Sequence, residues 1–129
     1  MFLFAFLLSL PACSSKKTTY EGSRAKKQAA DYVLMEKVLA DQPNRPRTTM
    51  KILMPDAGND GDTLKAALAD VRKQDKSLKA VIIWAYRTRE ELNGPNYTAG
   101  KLEWSSDGKN FAGQNELSPN PKIDIIQKQ

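Results

Sequence analysis

From Asp31 to Gly108 short apolar stretches alternate with clusters of turn formers, and the spacing inside each stretch predicts its element. Asp31 to Leu39 carries Tyr32, Leu34 and Val38 on one face and Val33, Met35 and Leu39 on the other. A segment apolar on both sides is either a strand or the end of a helix starting near Arg24, and the strand is the preferred reading. Asp41-Gln42-Pro43-Asn44-Arg45-Pro46 is dense in turn formers and bars a continuing helix, so a hairpin is expected. Its second arm, Arg47 to Met54, alternates Met50, Ile52 and Met54 with Lys51 and Leu53 until Pro55 stops it.

A loop at Asp56-Ala57-Gly58-Asn59-Asp60-Gly61-Asp62 leads to the clearest helix, in which Leu64, Ala67, Leu68 and Val71 recur at i, i+3, i+4 and i+7. Asp60 or Asp62 is the expected N-cap, and Arg72, Lys73 and Lys76 suit the negative end of the helix dipole. Ala80-Val81-Ile82-Ile83-Trp84-Ala85-Tyr86, apolar on both faces, is the candidate central strand. Arg87 to Asn96 is a charged loop with a Gly94-Pro95 break. Tyr97 to Trp104 is a further strand with Gly100, Leu102 and Trp104 on one face and Lys101 and Glu103 on the other, followed by Asp-Gly turn chemistry at Ser105-Ser106-Asp107-Gly108. Beyond Phe111 the chain is polar and proline-punctuated, with Ile123, Ile125 and Ile126 as its late apolar group; this tail either docks as an edge strand or stays loose. The order β-β-α-β-β predicts an α+β fold, one helix packed on one face of a small, mainly antiparallel sheet.

The apolar run from Phe2 to Leu10 has about half the roughly 20 residues that cross a bilayer, and it has the length of a signal-peptide core. It ends in Leu10-Pro11-Ala12-Cys13, which holds the only cysteine. This segment resembles the lipobox of bacterial lipoproteins, with Leu three residues before the cysteine and a small residue directly before it; Pro11 between them is less usual. The resemblance implies lipidation of Cys13, with membrane lipid as the partner reached through the acylated thiol. No Lys or Arg precedes Cys13, so an upstream start codon is expected to supply the basic leader. A buried N-terminal element with a chance cysteine is the plainer alternative, but Ser14-Ser15-Lys16-Lys17-Thr18-Thr19 follows at once and breaks the apolar pattern. The organisation read from the chain is a signal peptide at 1–12, a lipidated basic tether at 13–30, an α+β domain at 31–111 and a polar tail at 112–129. The domain is also similar to an uncharacterised family of small bacterial domains, in Ala80-Val81-Ile82-Ile83-Trp84-Ala85-Tyr86-Arg87, Tyr97-Thr98-Ala99-Gly100 and Trp104-Ser105-Ser106-Asp107-Gly108; that resemblance implies no activity.

Charge placement changes the picture more than the total of +5. From Ser14 to Ala30, Lys16, Lys17, Arg24, Lys26 and Lys27 face only Glu21, a net of +4, whereas from Asp31 onward 15 basic residues meet 14 acidic ones. A basic tether beside a lipid anchor suits an anionic bilayer surface, or serves as a solvated spacer. No basic stripe with stacking aromatics runs through the domain, so nucleic acid is not an expected partner.

The chain has no histidine and no cysteine beyond Cys13, which removes Ser-His-Asp and Cys-His catalysis and His- or Cys-built zinc sites. Asp56, Asp60, Gly61 and Asp62 fall at positions 1, 5, 6 and 7 of a calcium loop, but Gly58 stands at position 3 and Ala67 at position 12, so no metal and no cofactor are expected. Gly58 and Gly61 lack phosphate-loop spacing. Trp84, Tyr86, Tyr97 and Trp104 read as core and cross-strand partners rather than as a ligand platform. Glu90, Glu91 and Glu103 are the carboxylates an acid-base enzyme would use. The preferred reading is a non-enzymatic lipoprotein of the cell envelope; in a Gram-negative cell Ser14, rather than Asp, after the cysteine resembles the outer-membrane sorting pattern, which implies an outer-membrane anchor facing the periplasm. It would bind an envelope protein or component through Arg87, Arg89, Glu90, Glu91, Asn93 and Tyr97. The alternatives are a small carboxylate enzyme and an immunity or inhibitor lipoprotein.

Overall fold

Leu64, Ala67, Leu68 and Val71 are all buried, so the apolar stripe of the helix is the seam on which the molecule closes. The computed structural model describes residues 17–19, as backbone, 32–40, 44–55, 59–114 and 118–127. In chain order the elements are β1 (Lys17–Thr19), β2 (Val33–Ala40), β3 (Arg47–Leu53), α1 (Asp60–Gln74), β4 (Ala80–Tyr86), a short 3-10 turn at Glu90–Asn93, β5 (Gly100–Ser105) and β6 (Lys122–Ile125). The strands form one sheet in sequence order, antiparallel throughout except where β3 runs parallel to β4. A parallel neighbour needs a crossover, and α1 supplies it. The fold is α+β, with α1 packed on one face. Two strands are missing from the expected order: β6 at one edge and, at the other, β1 within the stretch read as a tether.

Met50, Ile52 and Met54 from β3 and its end, Val81, Ile83 and Ala85 from β4, and Leu102 and Trp104 from β5 meet the helix in the main core. The alternation read for these strands therefore points to the correct faces, and β4 lies between β3 and β5 as a two-sided apolar strand should. Its other face contributes Trp84 and Tyr86 to a smaller cluster with Met35, Leu53, Val33 and Leu92.

Three expectations need correction. The alternation along β2 breaks at a bulge between Leu34 and Glu36. Leu34 lies opposite Ile52 but Val38 lies opposite Thr49, three positions along β3, so Val38 sits on the face away from Leu34 and Leu39 changes sides with it. The N-cap of α1 is Asn59, without a side-chain cap bond, and Asp60 is the first helical residue, its carboxylate paired with Arg87. β5 starts at Gly100 rather than Tyr97, since the N–H groups of Thr98 and Ala99 both donate to the Ala85 carbonyl, at 3.1 and 2.9 Å, and turn the chain before the ladder begins. The lipobox, the remainder of the tether, Asp41-Gln42-Pro43 and Asp56-Ala57-Gly58 lie outside the described residues.

Further bonds join the tail to β5 at both ends of their ladder. The Asn120 amide donates to the Ser105 carbonyl at 2.7 Å and accepts from its N–H at 3.2 Å, and the Ile126 N–H donates to Ala99 O at 3.0 Å. Gly100 is where this edge comes closest: a Cβ there would stand 2.8 Å from the Asp124 carbonyl oxygen and 3.3 Å from a Leu64 methyl. Gly to Ala in a strand normally lowers the entropy of the unfolded chain and so helps slightly. Here overpacking outweighs that gain, and Gly100→Ala is expected to cost about 1–3 kcal/mol. Denaturant melts read the loss, and hydrogen exchange should show the Ile126 amide and β6 losing protection before the core; unchanged stability would mean the edge yields without cost.

Candidate functional site

The densest polar cluster forms where β3, α1 and β4 meet, because parallel strands joined by a helix bring the ends of both strands and the helix start to one side of the sheet. Arg87, directly after β4, donates to the Met54 carbonyl at 2.8 Å and to both carboxylate oxygens of Asp60, one of them at 3.1 Å. The Arg87 and Asp60 side chains are only 12% and 11% exposed, which makes this a largely desolvated, two-pronged ion pair. The Met54 N–H closes the group by donating to Tyr86 O at 2.8 Å.

The loop beyond it is held by Glu91. Its carboxylate accepts from the Thr98 hydroxyl and from the N–H groups of Arg87 at 3.1 Å and Thr88 at 3.3 Å. The Thr98 hydroxyl first, then these N–H groups and the Arg87 charge, hold the Glu91 carboxyl below the usual glutamate range, against the opposing effect of burial. Tyr97 is half-buried, edge-on to Trp84 with ring centroids 6.0 Å apart, and its hydroxyl donates to Asp124 at 3.0 Å. Of the residues read as a binding surface, Arg87 and Glu91 thus direct their charges into the loop's own framework, and Tyr97 joins it to β6. Arg89, Glu90 and Asn93 stand exposed on the 3-10 turn and its start.

The three glutamates do not converge. Glu103 lies on β5 opposite Ile82, about 13 Å along the strand from the Tyr86 end where Glu91 is held, and it accepts from the Phe111 N–H at 3.1 Å. Among the described residues no group of His, Cys, Asp and Glu could hold a metal ion, and Asp60 of the calcium-loop register is committed to Arg87. The aromatics behave as framework: Tyr86 is fully buried, and Trp104 is buried under the Arg72 guanidinium, whose carbon lies 4.2 Å from the ring centroid.

A second feature lies at the opposite end of α1, where the sequence shows only helix-dipole cations. Arg72, Lys73 and Lys76 join Lys79 around a cleft of about 420 Å³ floored by Leu78 and Trp104. Its one carboxylate, Asp75, accepts from the Ser77 hydroxyl and from the Ser77 N–H at 2.9 Å, bonds that hold it below the usual aspartate range. None of the four cations forms a salt bridge among the described residues. The signal was in the chain: four cations between Arg72 and Lys79 against one acid, with Trp104 brought over by the β4–β5 pairing.

Arg87→Met strands a buried carboxylate and is expected to cost about 3 kcal/mol, with Asp60→Asn costing a similar amount and the double variant less than their sum; additive losses in denaturant melts would remove the pair from the framework. Glu91 carries a pH signature. A carboxyl whose folded pKa is depressed stabilises fully above its unfolded value, near 4.3, and loses that effect as pH falls through the lower folded value. Thr98→Val should therefore move the Glu91 titration up toward the ordinary value in a carboxyl NMR titration, and an unmoved curve would show that the hydroxyl does not hold it. No protein-family model matches the chain, and no curated protein or solved structure is similar enough to it to count as a match.

Proposed function

We propose that the protein is a bacterial lipoprotein, acylated at Cys13, whose α+β domain is a non-enzymatic binding module of the cell envelope. The observation that carries this reading is the placement of the single cysteine behind Leu10-Pro11-Ala12 at the end of the Phe2 to Leu10 apolar run. A thiol at that place can become a diacylglyceryl thioether, and each buried acyl methylene adds about 0.8 kcal/mol, so two or three chains hold stably where one does not. Among the described residues no helix is long and apolar enough to cross a membrane, so this reading rests membrane attachment on the anchor.

The binding-module part rests on how the polar residues are used. Arg87, Glu91 and Glu103 each satisfy backbone groups or a partner within the framework, which favours a scaffold over a carboxylate pair. The exposed ridge of Arg89, Glu90 and Asn93 is the part of the loop offered to an envelope protein, and the outer membrane facing the periplasm is its proposed location.

The test is intact mass and membrane fractionation of the native protein beside Cys13→Ser, both expressed from the longest in-frame start. A mass consistent with acylation at Cys13, with the variant unprocessed or released, is the expected result. An unacylated wild type recovered in the soluble fraction would overturn the lipoprotein reading.

A further inference from the structure

We propose that the cleft at the C-terminal end of α1 is a binding site for a small phosphate ester, held by the Arg72 guanidinium with Lys73, Lys76 and Lys79. The inference does not depend on the Cys13 anchor.

Three observations carry it. The first is charge without partners: four cations surround the cleft and make no salt bridge among the described residues, while the one carboxylate present, Asp75, is turned to the Ser77 hydroxyl and N–H. The last turn of a helix tolerates cations through its dipole, but Lys79 lies beyond the helix, and Arg72, Lys73 and Lys76 converge with it on one concavity. The second is preorganisation. The Arg72 guanidinium carbon lies 4.2 Å from the centroid of the buried Trp104 ring, a contact that favours this placement before a ligand arrives, so less order is lost when one is bound. No described group accepts a hydrogen bond from its guanidinium, which leaves the planar fork free to donate in parallel to two oxygens.

The third observation is size. At about 420 Å³ the cleft falls at the lower end of small-molecule sites, with room for a phosphate and a short carbon skeleton over Leu78. It has no extended groove of the kind a polymer backbone follows. Four cations favour an anion of charge greater than one, and a phosphate offers three oxygens to a fork and several ammonium groups at once. A carboxylate offers two oxygens and a single charge. The phosphate could belong to a phospholipid headgroup or to a soluble ester, and the chemistry at the cleft is the same.

The full chain is titrated by calorimetry with inorganic pyrophosphate, and its sedimentation with phosphatidylglycerol vesicles is compared with that with phosphatidylcholine vesicles. The N-terminal segment is common to all variants, so differences between variants report the cleft. Saturable binding to at least one probe is expected, falling as salt rises and weakened roughly tenfold in Lys73→Gln/Lys76→Gln. Arg72→Lys, which keeps the charge and loses the fork, should weaken binding by a smaller factor. These side chains are exposed, and denaturant melts check that the variants remain folded. Pyrophosphate binding indicates a soluble ester and vesicle binding alone a headgroup; either supports the site. Binding of neither probe, equal binding by wild type and Lys73→Gln/Lys76→Gln, or tighter binding of a single-stranded oligonucleotide than of pyrophosphate would overturn it.

Discussion

The parallel pairing of β3 with β4 is the constraint on which the remaining structure depends, and the Arg87 fork ties together the segment ends that it brings to one corner. A parallel pair cannot be closed by a tight turn, so the chain leaves β3 at Met54, runs through α1 and returns as β4. Met54, Asp60 and Arg87 are the points where those three segments start or stop, and one guanidinium reaches both of the others. Asp60 gains doubly there, since a carboxylate in the first turn is also favoured by the helix dipole. With this corner set, the apolar stripe of α1 packs over β4, its neighbours β3 and β5 and the β6 edge, and the antiparallel strands extend the sheet outward from the parallel pair.

Arginine and lysine are used differently across the fold. Arg45 pairs with Asp107 and donates to Asn110 O at 2.6 Å, Arg47 stacks on Phe111 at 4.8 Å and donates to its carbonyl at 3.0 Å, and Arg87 holds the crossover. Planar forks with several donors suit such loop anchoring, because one side chain satisfies carbonyls and a carboxylate together. The exposed lysines at the end of α1 have no such duty. A domain close to neutral from Asp31 onward therefore still carries a local excess of cations around one cleft, and the balance of 15 basic against 14 acidic residues hides it.

What was legible in the chain is what local spacing decides. The 3.6-residue stripe of Leu64, Ala67, Leu68 and Val71 and the two-residue alternation in β3 and β5 each depend on one segment facing one core, and the buried positions match them. The bulge in β2 is set by the register against β3 and leaves no trace in β2's own apolar pattern. The role of Asp60 depends on an arginine 27 positions away, and without it an aspartate there reads as a cap. The docking of β6 is a backbone ladder with β5, flanked by Asn120 bonding to Ser105 and by Tyr97 reaching Asp124, and all of these join segments that no local spacing relates. The same holds inside the candidate surface: Arg87, Glu91, Arg89 and Glu90 are equally polar as letters, and only the structure shows that Arg87 and Glu91 bond within the loop's framework while Arg89 and Glu90 stand exposed.

The edge strand β1 bears on how an anchor would present this domain. Lys17, Thr18 and Thr19 pair with Val38, Lys37 and Glu36, so the sheet itself begins close behind Cys13. Only Ser14, Ser15 and Lys16 lie between them, and fully extended they span about 14 Å from Cys13 to Lys17. An acylated Cys13 would then keep the β1 edge close to the headgroup layer. The basic cleft lies beside β4 and β5, three to four strand spacings away, about 15–20 Å across the sheet. At that separation a domain so anchored would bring the cleft to headgroups if tilted and leave it facing solvent if upright. The orientation at the attachment, rather than the length of the tether, would decide which phosphates the cleft meets.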